Sequence, residues 1–202
     1  MKKHTVSIVR YEKPLASVRR VVDLSEGLKG LSPQSKVFIK PNIVFWNRNG
    51  SFPPWGVITT SRTVEDMVII LKNLGITDIS IGEGTVLMDP KDRETQHQAF
   101  RQLGYEILQK RYGVKLISVF DRPFRKLDLG DGIALKFNVD ILESDLVVNI
   151  PVLKTHAQTV VSLGIKNLKG TIDLNSRKKC HSADAEKDLN FHIAKLADQM
   201  PP

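Results

Sequence analysis

Short apolar runs separated by stretches of helical periodicity make up most of this chain. Each run is rich in β-branched residues and bounded by turn residues, a pattern that predicts strands. The predicted strands cover residues 4–11, 35–41, 78–84, 114–120 and 145–152. Continuously apolar strands that alternate with amphipathic helices indicate a sheet buried on both faces. The predicted fold is therefore α/β: a three-layer α/β/α arrangement with a mostly parallel sheet.

The clearest helical pattern lies at residues 59–75, where apolar side chains recur at helical spacing. Gly75 is placed to end this helix, and Thr60 or Ser61 is a suitable N-cap. Residues 98–113 show the same periodicity, so we predict a second helix there.

Two further segments complete the prediction. Residues 124–138 predict a small β-hairpin inserted into the α/β body, with its turn at Gly130-Asp131 or Asp131-Gly132. Residues 188–202 resemble a helix that stops where another strand is expected, which indicates a truncation at the C-terminus. We expect residues 1–202 to form a single domain.

Charge is the least ordinary feature of the composition. The chain has 202 residues, of which 41% are hydrophobic and 26% charged, as in a typical globular protein. Thirty Lys and Arg residues against 22 Asp and Glu give a formal net charge of +8. This balance favours anionic partners such as phosphorylated metabolites, nucleotides, carboxylates or nucleic acid.

Several classes of protein are excluded by simple absences. Cys180 is the only cysteine, so the chain alone can form neither an intrachain disulfide nor a cysteine-ligated iron–sulfur cluster. The N-terminal residues lack the apolar run of a signal peptide, and no stretch is long and apolar enough for a membrane-spanning helix. We therefore expect a cytoplasmic protein with no membrane partner.

Polar or glycine residues follow each strand that is predicted to lie in the parallel sheet. Ligands of open α/β sheets bind beyond the carboxyl ends of the strands, so we expect these residues to converge on one site. They are Lys40 and Asn42, then Gly82, Glu83 and Gly84, then Asp121 and Arg122, then Asn149, Lys154, Thr155 and His156.

Residue types suggest roles within this site. Lys40 suits an anchor for phosphate or carboxylate with Asn42 as an oriented amide, or else a solvated strand end. Thr59 and Thr60 precede a helix whose free N–H groups can hold an anion, although capping explains a single hydroxyl there. Glu83 can be a metal or hydroxyl ligand, or a capping group.

A second group of candidates lies between residues 154 and 181. Lys166 follows an apolar run, so its ammonium suits either a nucleophile of lowered pKa or a charged anchor for phosphate. His156 and His181 suit proton transfer or metal binding, with solvated loop histidines as the alternative. Lys154 supplies positive charge and Asn167 an amide. The basic run at residues 177–181 is expected to be a solvated face.

Longer motifs resemble a known family. The segments VFIKPNIV, TTSRTVEDMVIILKNLGITDISIGEG, DLVVNIPVLKTH and GIKNLKG resemble, in this order, the motifs of domain of unknown function 362. Members of that family often continue further and can carry a ferredoxin-type cysteine cluster. The resemblance therefore implies an iron–sulfur domain on a missing segment or on another chain as a partner.

A more distant resemblance is to the nickel-pincer-dependent lactate racemases. It rests on His156, nine residues, Lys166, fourteen residues and His181. It implies that Lys166 is joined to a nucleotide-like cofactor, that His181 binds a metal ion (nickel or iron), and that His156 acts as acid or base.

Three functions remain open on this basis. The first is an enzyme whose cationic cleft binds a small anionic ligand or a metal-containing cofactor. The second is an electron-transfer fragment associated with an iron–sulfur protein. The third is a nucleic-acid-binding module, which is disfavoured because the cations are not interleaved with aromatic residues and no recognised motif is present.

Overall fold

The described part of the structure, a computed structural model, covers residues 4–49, 56–121, 123–182 and 186–202. The strands are β1 (Val37–Pro41), β2 (Ile79–Glu83), β3 (Lys115–Ser118), β4 (Phe124–Asp128), β5 (Ala134–Asn138), β6 (Leu146–Ile150), β7 (Lys154–His156) and β8 (Val160–Ser162). The helices are α1 (Ala16–Ser25), α2 (Ser61–Asn73), α3 (Glu94–Gln102), α4 (Tyr105–Tyr112), α5 (Val139–Leu142), α6 (Gly164–Asn167), α7 (Leu174–Lys179) and α8 (Leu189–Ala197). A 3-10 helix, Leu168–Thr171, follows α6 directly.

Four strands form a parallel sheet in the order β3-β2-β1-β6. The strands are apolar along almost their whole length, so both faces of the sheet have to be covered by other elements. Val37 and Ile39 of β1 pack into a core with residues of α2, α3 and α4, whereas Phe38 belongs to a separate cluster with Val119 and Ile141. The predicted α/β fold with a parallel sheet is confirmed.

The predicted hairpin is also confirmed as the antiparallel pair β4–β5, and a second, smaller hairpin pairs β7 with β8. A third apolar cluster joins β5 to the C-terminal helices through Phe137, Ile172 and Cys180, among others. Leu142 and Met200 pack against this cluster and against the Phe38 cluster, so the hairpin and the C-terminal helices cover one face of the sheet.

Two predicted elements are wrong. Residues 4–11 do not form a strand: Val6 and Ile8 are 86% and 95% exposed, and Tyr11 donates a hydrogen bond to Asp66 of α2 instead. An alternating pattern forms a strand only where it can pair with the edge of a sheet, and residues 4–11 pair with none among the described residues. Residues 98–113 form two helices rather than one, because Gly104 adopts a left-handed conformation (φ 77°) between α3 and α4.

The end of the chain is helical as predicted, in α8. Within the described ranges, no helix has the length and apolar character needed to cross a bilayer.

Candidate functional site

A buried ion pair lies at the carboxyl ends of β1 and β2. The Lys40 side chain is fully buried, and its ammonium donates to Glu83 Oε2 at 2.7 Å and to the Pro41 carbonyl at 2.7 Å. The Glu83 carboxylate also accepts from the backbone N–H groups of Ile43 and Gly84, both at 2.8 Å. Burial lowers the pKa of Lys40 to about 8, although attraction to Glu83 opposes this shift.

Three asparagines connect this ion pair to neighbouring elements. Asn167 Oδ1 accepts from Asn42 Nδ2 at 2.8 Å and from the Lys40 ammonium at 3.3 Å. Asn167 Nδ2 donates to Asn149 Oδ1 at 2.8 Å, and Asn149 Nδ2 donates to the Gly164 carbonyl at 2.9 Å. These bonds fasten α6 to the strand ends, which places Lys166 next to them.

Thr59 and Thr60 also lie near the strand ends, but their hydroxyls have protein partners. Thr59 Oγ1 donates to the Ile150 carbonyl at 2.6 Å and accepts from Asn42 N–H at 2.8 Å. Thr60 is the N-cap of α2, and its hydroxyl lies 3.0 Å from that of Thr63. Neither threonine lines the cavity described next.

A cavity of about 280 Å³, here called the cleft, opens above the ion pair. Its polar wall is strongly cationic. The cationic and histidine residues that line it are Lys154, Lys166, Lys169, Arg177, Lys178, His156 and His181. Glu83 is the one acidic side chain among the described lining residues, and Lys40 already neutralises it.

Eight of the predicted site residues line the cleft: Asn42, Glu83, Gly84, Lys154, His156, Lys166, Asn167 and His181. Lys40 lies buried behind it, and Thr59 and Thr60 support the strand ends instead. Arg122, predicted from the end of β3, falls outside the described residues, and Asp121 does not line the cleft.

The cleft lysines differ in their surroundings. Lys154 is held by the Val57 carbonyl at 2.6 Å and by the Asn42 side-chain oxygen. The Lys166 ammonium forms no hydrogen bond or ion pair within the described residues, and burial, followed by repulsion from Arg177, lowers its pKa. Burial, followed by repulsion from Lys166, lowers the pKa of Lys169 to about 8.

The two cleft histidines are both favoured in the neutral form. His156 Nδ1 accepts from the backbone N–H groups of Gln158 and Thr159, so its proton lies on Nε2. His181 Nε2 contacts the Lys169 ammonium, and its Nδ1 lies 3.0 Å from Gln158 Oε1. Burial, reinforced by the nearby lysines, lowers the pKa of both rings.

The predicted metal role of His181 has little support from these neighbours. Both of its ring nitrogens already have protein partners. Across the described part of the chain, no three His, Cys, Asp or Glu side chains come together as a metal-binding group. The role stays a prediction.

Arg177 is one of the cleft cations that sequence reasoning missed, together with Lys169 and Lys178. The run at residues 177–181 was expected to be a solvated face, and this is wrong for Arg177 and Cys180. Cys180 is fully buried, and burial raises the pKa of its thiol. The spacing of these two residues could have predicted this. Residues 177 and 180 are three positions apart and lie on the same side of a helix, so a buried cysteine at 180 places the arginine on the buried side as well.

Comparison with known proteins gives two matches. The family described as Domain of unknown function (DUF362) matches residues 37–202. The thylakoid-associated protein sll1697 of Synechocystis sp. is 25% identical over 177 residues, which cover 87% of this chain and 51% of that protein. The chain thus spans about half the length of this relative. Neither match supports the resemblance to the lactate racemases.

Proposed function

The chain belongs to the DUF362 family, whose description names no activity, and from the cleft we propose that it binds a small anionic ligand at the carboxyl ends of its parallel strands. The observation that carries this proposal is the imbalance of charge in the cleft. Among the described residues that line it, five are cations, whereas the one carboxylate is already paired with Lys40.

Electrostatics inside the cleft supports the same conclusion. Burial and mutual repulsion lower the pKa values of Lys154, Lys166 and Lys169 together. An anion placed among them would relieve the repulsion and replace the water that these ammonium groups have lost. Lys166 is the preferred anchor, because it lines the cleft and its ammonium has no hydrogen-bond partner within the described ranges.

His156 is the proposed acid or base for any reaction at the bound anion. Its lowered pKa keeps the ring neutral at pH 7, the form that accepts a proton. Lys154 and the amides of Asn42 and Asn167 hold each other in place, which gives the cleft a fixed polar wall. A nucleotide-like cofactor is one member of the anionic class that this wall suits.

The experiment compares bound ligand in the wild-type protein, Lys166→Ala and a control, Lys110→Ala. Lys110 is exposed on α4 and outside the cleft lining, so its removal changes the net charge equally. Protein purified without phosphate or sulfate is denatured, and released anions are identified by mass spectrometry. Thermal unfolding is measured with added phosphate, pyrophosphate, adenosine monophosphate or citrate.

We expect a saturable anion effect in the wild-type and in Lys110→Ala, and its loss in Lys166→Ala with nearly unchanged unfolding temperature. No retained anion and no saturable stabilisation in the wild-type would refute the proposal. A large loss of stability in Lys166→Ala would show that this lysine is structural.

Three finer expectations stay predictions. Elemental analysis for nickel and iron tests the metal at His181. The gene sequence beyond Pro202 tests the iron–sulfur partner. Cell fractionation tests the cytoplasmic location, since the relative from Synechocystis sp. is named as thylakoid-associated.

A further inference from the structure

The Arg177 guanidinium has an unusual environment. It lies 4.8 Å over the ring of Phe120, so one of its faces is covered. Its Nε and Nη2 atoms are buried without any hydrogen-bond partner. These two nitrogens form one edge of the guanidinium fork, the edge that a carboxylate or phosphoryl group contacts with two oxygens.

The backbone around Arg177 is shaped to admit the guanidinium. A Cβ atom on Gly84 would lie 2.5 Å from Nη2 and 3.1 Å from the Phe120 ring. Any side chain at position 84 would therefore displace Arg177. Gly84 thus makes room for the arginine directly after β2, whereas Gly82 makes room for the ring of Phe38.

No acidic side chain in the described residues forms an ion pair with this cation. Glu83, the acidic residue of the cleft, already forms an ion pair with Lys40 and accepts hydrogen bonds from two backbone N–H groups. Asp173 caps α7 by accepting from Ser176 N–H. Burial lowers the pKa of Arg177 to about 10, although attraction to Glu83 opposes this shift. A buried guanidinium edge without a hydrogen-bond partner is costly, and an oxyanion bound to it would remove that cost. Nε and Nη2 have almost no accessible surface, so the oxyanion reaches them only with a displacement of the Arg177 side chain towards the cleft.

The cleft also has an apolar wall. Val86, Leu87, Pro90, Val152 and Leu174 line it together with the cations. Resting on the proposed function, we propose that Arg177 is the receptor for the oxyanion group of the ligand, a carboxylate or a phosphoryl group held by two hydrogen bonds, and that the body of the ligand is apolar and lies against this wall.

The test is isothermal titration with four probes: phenylphosphonate, benzoate, inorganic phosphate and acetate. The first two carry an apolar ring, and the pairs separate phosphoryl from carboxylate recognition. The variants are Arg177→Lys and Arg177→Met, with Lys166→Ala for comparison. Arg20→Met is the matched control, because Arg20 is exposed on α1 and outside the cleft lining.

We expect at least one ring-bearing probe to bind the wild-type about tenfold more tightly than its small counterpart, since apolar burial adds affinity. Arg177→Lys keeps the charge but loses the fork, so its affinity should fall about tenfold or more, and Arg177→Met should lose more. Arg20→Met should bind within about twofold of the wild-type. Unfolding of ligand-free Arg177→Met should occur at the wild-type temperature or above, because an unpaired buried charge has been removed.

Three outcomes would overturn this inference. In the first, Arg177→Lys and Arg177→Met bind the probes as tightly as Arg20→Met does, whereas Lys166→Ala loses binding. This result would show that water, and not the ligand, satisfies the free edge of the Arg177 guanidinium. The proposed function would still stand. In the second, Arg177→Lys folds normally and binds the probes as tightly as the wild-type does. This result would show that the positive charge at position 177, and not the guanidinium fork, determines the affinity. A wild-type protein that binds none of these probes and retains no anion would overturn both proposals.

Discussion

Replacing Lys40 with Met removes the ammonium from the buried ion pair and leaves the Glu83 carboxylate behind. The Lys40 side chain is 0% exposed and that of Glu83 is 3% exposed, so water cannot compensate the loss. Two backbone N–H groups still bind Glu83, and Arg177 attracts it from farther away, but no side chain in the described residues replaces Lys40 in a direct ion pair. Breaking one partner of such a pair costs about 3–5 kcal/mol.

The expected fall in melting temperature follows from this cost. A chain of this size loses about 2–4 °C per kcal/mol, so Lys40→Met should melt about 6–20 °C below the wild-type. The double variant Lys40→Met/Glu83→Gln removes both charges and keeps an acceptor oxygen for one of the two backbone N–H groups. It should recover about 1–3 kcal/mol relative to the sum of the single variants.

The assay is urea unfolding followed by circular dichroism. The comparison requires that the dependence of the unfolding free energy on urea concentration has the same slope for all variants. Lys115→Met is the control, because Lys115 pairs with Asp78 at a similar distance, 2.8 Å, but on the surface. That pair should contribute about 1 kcal/mol or less. A loss in Lys40→Met no larger than in Lys115→Met, or a double variant that is strictly additive, would refute the reasoning.

Three further predictions concern the same region. Gly170→Ala should destabilise the fold by about 1–3 kcal/mol or more, because its Cβ would lie 2.2 Å from the carboxylate and 2.7 Å from the ammonium of the buried pair. Gly164→Ala, whose Cβ would have an ordinary 3.6 Å contact, should change stability by less than about 1 kcal/mol, and equal effects in urea unfolding would contradict the packing argument. The pKa of Lys40 is about 8 in the folded protein but near its ordinary value when unfolded, so above pH 8 the unfolded state binds more protons. Lys169 has the same lowered pKa, so the unfolding free energy should rise with pH by up to about 1.4 kcal/mol per unit for each of these two lysines until about pH 9.5. Above that pH the raised pKa of buried Tyr105 opposes the rise. A fall in unfolding free energy between about pH 8 and pH 9.5 would contradict the lowered lysine pKa values. His156 should titrate below its ordinary pKa of 6.5 and carry its proton on Nε2, which nitrogen-15 NMR measures directly; an Nδ1-protonated ring would contradict the hydrogen bonds from residues 158 and 159.

Much of the fold could be predicted because the sheet strands are buried on both faces. A run such as residues 37–41 is apolar almost throughout, and few structures other than a central parallel strand suit it. The strand at residues 4–11 failed for the opposite reason: an alternating pattern needs a partner edge, and only tertiary structure decides whether one exists. The break at Gly104 was a local signal that the helical periodicity on either side concealed.

The site was predictable to the extent that topology alone determines it. Parallel strands end at one edge of their sheet, so Lys40, Asn42 and Asn149 had to come close together. Their individual partners depended on geometry instead. The sequence contains no sign that Lys40 would bury its charge against Glu83, or that Gly84 would make room for Arg177, because both depend on how the C-terminal helices pack onto the sheet.

The most direct test of the central claim is to map the binding of phenylphosphonate by chemical-shift changes in the nitrogen-15-labelled protein. If the cleft is the anion site, the saturable changes should cluster at the backbone of Gly84, Lys166 and Gly170 and at the Arg177 side chain. Changes spread over exposed lysines such as Lys110, or no saturable change in the cleft, would contradict it.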